Sequence, residues 1–217
     1  MRGIIFIAPP AAGKGTQSDL ICDKYGFEHI STGELLRDAS EEDNLEALYI
    51  KEKIDSGELV DDELIIELID KKLHNLNSKG FILDGFPRNL VQAKMLNEMI
   101  KKVNLKKLYV INIDVDFSVV MKRFTGRVTC PDCGNVYNNL LEELKPKKEN
   151  YCDDCNIELE IRTDDNEETF TKRFELYADE TEPLISYYKE KGVLYRVDGN
   201  LEKMQIFNQI VNILEGE

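Results

Sequence analysis

Residues 4–17, IIFIAPPAAGKGTQ, run from an apolar stretch through a Pro pair into Gly-Lys-Gly-Thr and a helical pattern. The phosphate-loop pattern is Gly, four residues, Gly-Lys, then Ser or Thr. Here Ala8 stands at the first Gly position and Gly15 separates Lys14 from Thr16, so the bare pattern fails twice. The physics behind the pattern asks for less: a strand end, backbone N–H groups around an anion, a helix N-terminus and a Lys. Ile4 to Ile7 supply a strand, residues 11–16 keep six consecutive N–H donors, and a helix from Lys14 to Tyr25 would point its positive end at the anion. The competing reading is a strand-to-helix turn with an exposed Lys.

The 217 residues fit one domain with small insertions, and a formal charge of −14 argues against general affinity for nucleic acid or anionic membrane. Strand-like sequence begins within three residues of Met1 and no apolar run reaches membrane-span length, so a soluble, cytoplasmic protein is expected. Arginine is scarce, eight against 20 lysines, and several arginines fall beside Gly, Pro or paired acids. A planar guanidinium fork matches phosphate oxygens, whereas Lys mostly serves as soluble surface charge.

Downstream, helical patterns fill the segment between Ser31 and Val60 and recur from Leu64 to Leu73. Apolar strands Phe81–Leu83 and Leu108–Ile113 end in Asp84 and Asp114, a helical signal runs from Glu167 to Glu182 and resumes after Pro183, and a last strand spans Val193–Val197 before an amphipathic helix. Strands alternating with helices imply an α/β protein with a parallel sheet, which binds ligands at the carboxyl ends of its strands. Gly13, Lys14, Asp84 and Arg88 would gather there. Asp84 sits where a phosphate-loop enzyme organises Mg²⁺, often through water; capping the next turn is its simpler role.

Cys130-x-x-Cys133 and Cys152-x-x-Cys155 interrupt this pattern. Two such knuckles match a structural zinc site, each pair placing two thiolates on one tight turn; iron is the other metal a four-Cys set takes. Two disulfides are the alternative, which an intracellular setting disfavours. A full four-Cys shell leaves no open position, so the metal would fold the insert without doing chemistry. The insert is net acidic, against a nucleic-acid ribbon. Cys22 reads as a small buried hydrophobe, and His29 and His74, without a partner cluster, as structural residues.

The chain resembles adenylate kinases, specifically the long bacterial type with a zinc-bearing lid. The resemblance covers essentially the whole length and rests on APPAAGKGTQ, STGELLR at 31–37, GELVDDEL at 57–64, GFILDGFPRN with Gln92, RFTGR at 123–127, the four cysteines, and RTDDNEET followed by KR. It implies a five-stranded parallel sheet forming a core (1–30, 61–125 and 166–217), an AMP-binding helical segment (31–60) and a lid (126–165). It implies reversible transfer from Mg-ATP to AMP, giving two ADP, by a monomer.

By the same resemblance, Pro10, Ala11, Ala12, Gly13, Lys14, Gly15, Thr16, Arg123, Arg127, Val136, Tyr137 and Asn200 would bind ATP. Thr32, Arg37, Leu59, Val60, Gly85, Arg88, Gln92, Arg162 and Arg173 would bind AMP, with Gln92 reading the adenine edge. Lys14, Arg88, Arg123, Arg127, Arg162, Arg173 and Asp84 would carry catalysis, and Asp84, Asp164 and Asp165 would support Mg²⁺ and the arginines.

The family's loop usually carries Gly where this chain has Ala8 and Ala11, and Arg where it has Val128. If a lost Gly sat at positive φ, Ala would cost about 1–2 kcal/mol while keeping its N–H. Asn89 after Arg88 resembles kinases that prefer UMP or CMP, whereas Thr32 and Gln92 favour AMP. The two alanines also admit a catalytically weak nucleotide-binding regulator, against which the six arginines speak.

Overall fold

The computed structural model describes residues 1–103, 105–162 and 165–216. In chain order the strands are β1 (Arg2–Ile7), β2 (Glu28–Ser31), β3 (Gly80–Asp84), β4 (Lys107–Asp114), β5 (Arg127–Thr129), β6 (Val136–Asn138) and β7 (Leu194–Asp198). The α-helices are α1 (Lys14–Tyr25), α2 (Thr32–Ser40), α3 (Leu45–Ser56), α4 (Asp62–His74), α5 (Leu90–Lys102), α6 (Phe117–Thr125), α7 (Glu167–Leu176), α8 (Pro183–Glu190) and α9 (Lys203–Glu215). Five strands make the expected parallel sheet, in the order β2-β3-β1-β4-β7.

Side chains on a strand alternate between faces, and β1 feeds two cores accordingly. Ile4 and Phe6 join one cluster with α1, α6 and α9, while Ile5 and Ile7 join the other with α4, α5 and α8. Burial on both faces explains why β1 reads as an unbroken apolar run. After β1 the chain passes β3 to reach β2 at one edge, and after β3 it crosses back over β1 to β4, so the loops after the neighbouring strands β1 and β3 diverge and open a crevice.

The cysteine-bearing insert stands on its own small hairpin, β5 paired antiparallel with β6. Among the described residues its buried cluster holds Val128, Cys130, Cys152 and Leu159. So small an apolar core cannot stabilise forty residues by burial alone.

The helix expected from Glu167 to Glu182 ends earlier. α7 closes at Leu176 and a π-helical turn, Tyr177–Thr181, follows, where Glu182 N–H donates to the Tyr177 carbonyl at 2.8 Å. Pro183 lacks the N–H that a continuing helix would use, and its ring crowds the carbonyl four residues back. No helix among the described residues is long and apolar enough to cross a membrane.

Candidate active site

The loop after β1 supplies amides and one cation. Gly13, at φ 91°, opens α1 without any side-chain cap, and no acidic residue occupies the first turn. The first N–H groups of α1 are therefore free to receive an anion. Lys14 Nζ donates to the carbonyls of Ala8 (3.2 Å) and Pro9 (3.0 Å), which holds the ammonium over the loop. Burial lowers the Lys14 pKa, Asp84 opposes that, and Arg88 and Arg127 lower it further. Of the two alanines that replace family glycines, only Ala11 has positive φ, at 58°.

Asp84 ends β3 beside this loop, and its carboxylate lies near Gly15. β2 pairs with β3 so that His29 stands opposite Ile82 and Ser31 opposite Asp84. That register brings His29 Nε2 to 3.5 Å from Asp84, while Nδ1 lies 3.5 Å from Asp19 on α1. Burial works against both ions. The two carboxylates nevertheless raise the His29 pKa to about 9, and His29, Lys14 and Arg88 hold Asp84 below the usual carboxylate range. The sequence reading left His29 without a partner cluster, and the structure corrects this: its partners are 10 and 55 residues away in sequence, brought close by strand pairing.

A second set of residues surrounds the loop after β3. Gly85 sits at φ 81°, and a Cβ there would come within 2.4 Å of Thr32 Oγ1, so only glycine fits. Thr32 donates to the Asp84 carbonyl at 3.2 Å and Arg88 Nε to the Gly85 carbonyl at 2.8 Å. Gln92 accepts from Arg88 N–H at 2.7 Å and donates to Asp62 at 2.7 Å. Asn89 caps α5 by accepting from Gln92 N–H at 2.8 Å and donates to Asp62 at 3.2 Å. Both ends of the Asn89 amide are thus engaged in helix capping and anchoring, which accounts for its presence without a pyrimidine.

Two cavities meet over these loops. One, of about 240 Å³, is lined by Pro10, Thr32, Leu59, Val60, Gly85, Arg88, Gln92 and Arg173. The other, of about 390 Å³, is lined by Ala12, Gly13, Gly15, Thr16, Arg123, Val136 and Tyr137. Ala11, Lys14, Arg37, Asp84, Arg127 and Arg162 border both. Arg127 grips Asp165 through Nε at 2.6 Å and a second, parallel bond, Arg162 donates to Thr129 Oγ1 at 3.2 Å, and Arg123 donates to the Gly199 carbonyl at 2.9 Å. Burial lowers the pKa of Arg88, with Arg173 adding to the effect, and burial lowers that of Arg123. The two remaining arginines serve elsewhere: Arg2 stacks over Tyr25 and Phe27, and Arg196 pairs with Asp114 on the surface.

Asn200 lines neither cavity. Its side chain accepts from Asp116 N–H at 2.9 Å and ties the end of β7 to the start of α6. Asp164 lies outside the described residues. Asp62, which holds Gln92 and Asn89, escaped the sequence reading; its only signal was an acidic pair opening a helix.

The four cysteines converge. Their sulfurs all lie within 4.8 Å of one another, and Cys133 and Cys152 Sγ are 3.6 Å apart, too far for a disulfide. Four thiolates around Zn²⁺ at about 2.3 Å would stand about 3.8 Å apart, so the residues fit that ion. The knuckles share one backbone pattern: Cys130 and Cys152 carbonyls accept from Gly134 and Asn156, and their N–H groups donate to Asn135 and Ile157. The hydroxyl of Tyr137 and the amide of Cys155 pull the Cys152 thiol below its usual pKa.

A family profile described as Adenylate kinase matches residues 6–193. The chain is 47% identical over 213 residues to an adenylate kinase of Archaeoglobus fulgidus, covering 98% of this chain and 97% of that one. It is 45% identical over 213 residues to the enzyme of Thermodesulfovibrio yellowstonii, covering 98% of each. Against that of Thermotoga neapolitana it is 41% identical over 216 residues, covering 99% of this chain and 97% of that one. With a phosphate loop facing a strand-end Asp across two arginine-rimmed cavities, the chain belongs to the adenylate kinase family.

Proposed function

We infer that the chain transfers the terminal phosphoryl group of Mg-ATP to AMP, reversibly, giving two ADP. The observation that carries this reading is the meeting of the two cavities at Lys14, Arg37, Arg127, Arg162 and Asp84, in a chain whose net charge is −14. Phosphoryl transfer asks the protein for positioning and charge stabilisation rather than covalent chemistry, and the shared border provides both. ATP takes the cavity over α1, its phosphates on Lys14 and the amides of Gly13, Gly15 and Thr16. AMP takes the cavity at Thr32, Gly85 and Gln92, its phosphate on Arg37 and Arg88. The P–O bond to the ADP leaving group breaks as one forms to an AMP phosphate oxygen, already a nucleophile, so no general base is needed. Mg²⁺ bound with ATP supplies further charge neutralisation, and Asp84 is the carboxylate placed to organise it.

Reading Gln92 as the adenine reader requires adenine to displace the Gln92 contacts with Asp62 or Arg88. Segments 31–60 and 126–165 act as an AMP arm and an ATP lid whose closure expels water, the competing acceptor. The four cysteines hold structural Zn²⁺, and the protein works as a cytoplasmic monomer without nucleic-acid or membrane partners. The test is to mix the protein with Mg-ATP and separately with AMP, CMP, UMP or GMP, following diphosphates by phosphorus NMR. Conversion with AMP alone is expected. Preference for CMP or UMP would replace the substrate reading, and no conversion by folded protein would replace the enzyme with a nucleotide binder.

A further inference from the structure

β6 is three residues long; all three residues border the cavity over α1, and each makes a different contact besides. Val136, nearly half exposed, lines the cavity over α1. Asn138, buried, donates to the carbonyl of Arg123 at 2.7 Å, and Arg123 borders the same cavity. Between them Tyr137 turns to the cysteine cluster, backed by its strand partner Val128. The Tyr137 hydroxyl accepts from Asp153 N–H at 2.8 Å and lies 3.4 Å from Cys152 Sγ. A metal-bound cysteine is a thiolate without a proton, so at that contact the hydroxyl must donate. One phenol therefore closes the second knuckle from both sides, its oxygen on the backbone and its proton on the sulfur.

We propose that Tyr137 is a positioning residue that hydrogen-bonds the metal-bound Cys152 thiolate and couples the metal site to the ATP-facing strand β6. This rests on the reading that the four cysteines hold zinc. Groups that hydrogen-bond metal ligands fix ligand orientation, and their loss costs about 10- to 100-fold in metal affinity or activity. Here the consequence runs in two directions. Without the hydroxyl the knuckle releases metal faster, and without the knuckle Val136 and Asn138 lose their register against the ATP cavity. The AMP cavity shares no residue with β6 and is spared.

The test compares the full-length parent with Tyr137→Phe, which keeps the ring and its packing. Zinc release to a chromogenic chelator should be about tenfold faster in the variant. In the Co²⁺-loaded proteins the thiolate-to-metal charge-transfer band should move to lower energy, because a sulfur that loses a hydrogen bond becomes more electron-rich. KM for ATP should rise about two- to tenfold, the worth of one hydrogen bond, with KM for AMP unmoved. A phenol that merely packs would alter the melting temperature but not the cobalt band, so equal release rates and an unmoved band overturn the proposal. If the parent shows no tetrathiolate cobalt spectrum, the zinc reading falls and takes the proposal with it. If the variant fails to fold, the parent alone decides: its cobalt band should shift on adding a non-hydrolysable ATP analogue, and a static band overturns the coupling.

Discussion

Ala8 and Ala11 look alike in sequence and differ in the backbone they occupy. Ala11 sits at φ 58°, where a methyl group costs about 1–2 kcal/mol, offset by about 0.4–1 kcal/mol from the smaller entropy of the unfolded chain. Ala8 is buried and outside that region. Ala11→Gly should therefore raise stability by up to about 1.5 kcal/mol, and Ala8→Gly should lower it by about 1 kcal/mol, both read from urea midpoints. Equal shifts of one sign would remove the backbone distinction. Lys14→Met should abolish phosphoryl transfer and leave the far-ultraviolet spectrum intact; near-parental turnover would end its role. His29 gives a third case. Burial opposes its charge, but its ion pairs with Asp19 and Asp84, helped by Glu34, raise its folded pKa, so their contribution is fully present below the ordinary value of 6.5 and is lost as pH rises through about 9. In Mg²⁺-free protein His29→Gln should be less stable than the parent near about pH 6 and equal to it near about pH 10. A pH-independent difference would assign the residue to packing alone. Such pairings were hidden in the sequence because a histidine shows its type there but not its neighbours.

The apolar strands were legible, whereas β2, with Glu28, His29 and Ser31 among its four residues, was not. Runs such as Ile4–Ile7 and Phe81–Leu83 announce burial on both faces, and the structure extends them by only one or two residues to Arg2–Ile7 and Gly80–Asp84. The cysteine knuckles were legible too, since their spacing is itself the geometry. The π-turn was not: Glu167 to Glu182 has no helix breaker, and the wide turn is imposed by Pro183 beyond it and by Thr181, which donates to the Arg88 carbonyl at 2.7 Å. That bond joins the end of the π-helical turn to the loop carrying Arg88. Thr181→Val should cost about 1 kcal/mol of stability and raise KM for AMP about two- to tenfold, leaving KM for ATP alone. A change in both constants, or in neither, would dissociate the turn from the AMP side. At the same scale the insert has too little apolar core to hold itself. On the zinc reading proposed above, chelation should lower the melting temperature and expose β5 and β6 to amide exchange, whereas an unchanged melting curve after verified metal loss would show that the cysteines do not hold the fold.

Across the whole molecule the acidic balance and the site are opposed in sign. Lys14, Arg37, Arg88, Arg127, Arg162 and Arg173 line one cavity, and among them Arg88, already disfavoured by burial, is lowered further by the charge of Arg173. Nucleotide phosphates relieve that repulsion, so binding should weaken as salt rises, and an analogue filling both cavities should raise the melting temperature by more than the shifts with ATP and with AMP added together. Additive or smaller shifts would mean that the shared border transmits nothing between the sites. The crowding of like charges has a consequence for the cell as well. A folded chain with empty cavities is its least stable folded form, and every bound phosphate drains part of the stored repulsion. The nucleotide pool then acts as a chaperone for this chain, and starvation would be felt first as a fall in its lifetime, before any fall in its turnover.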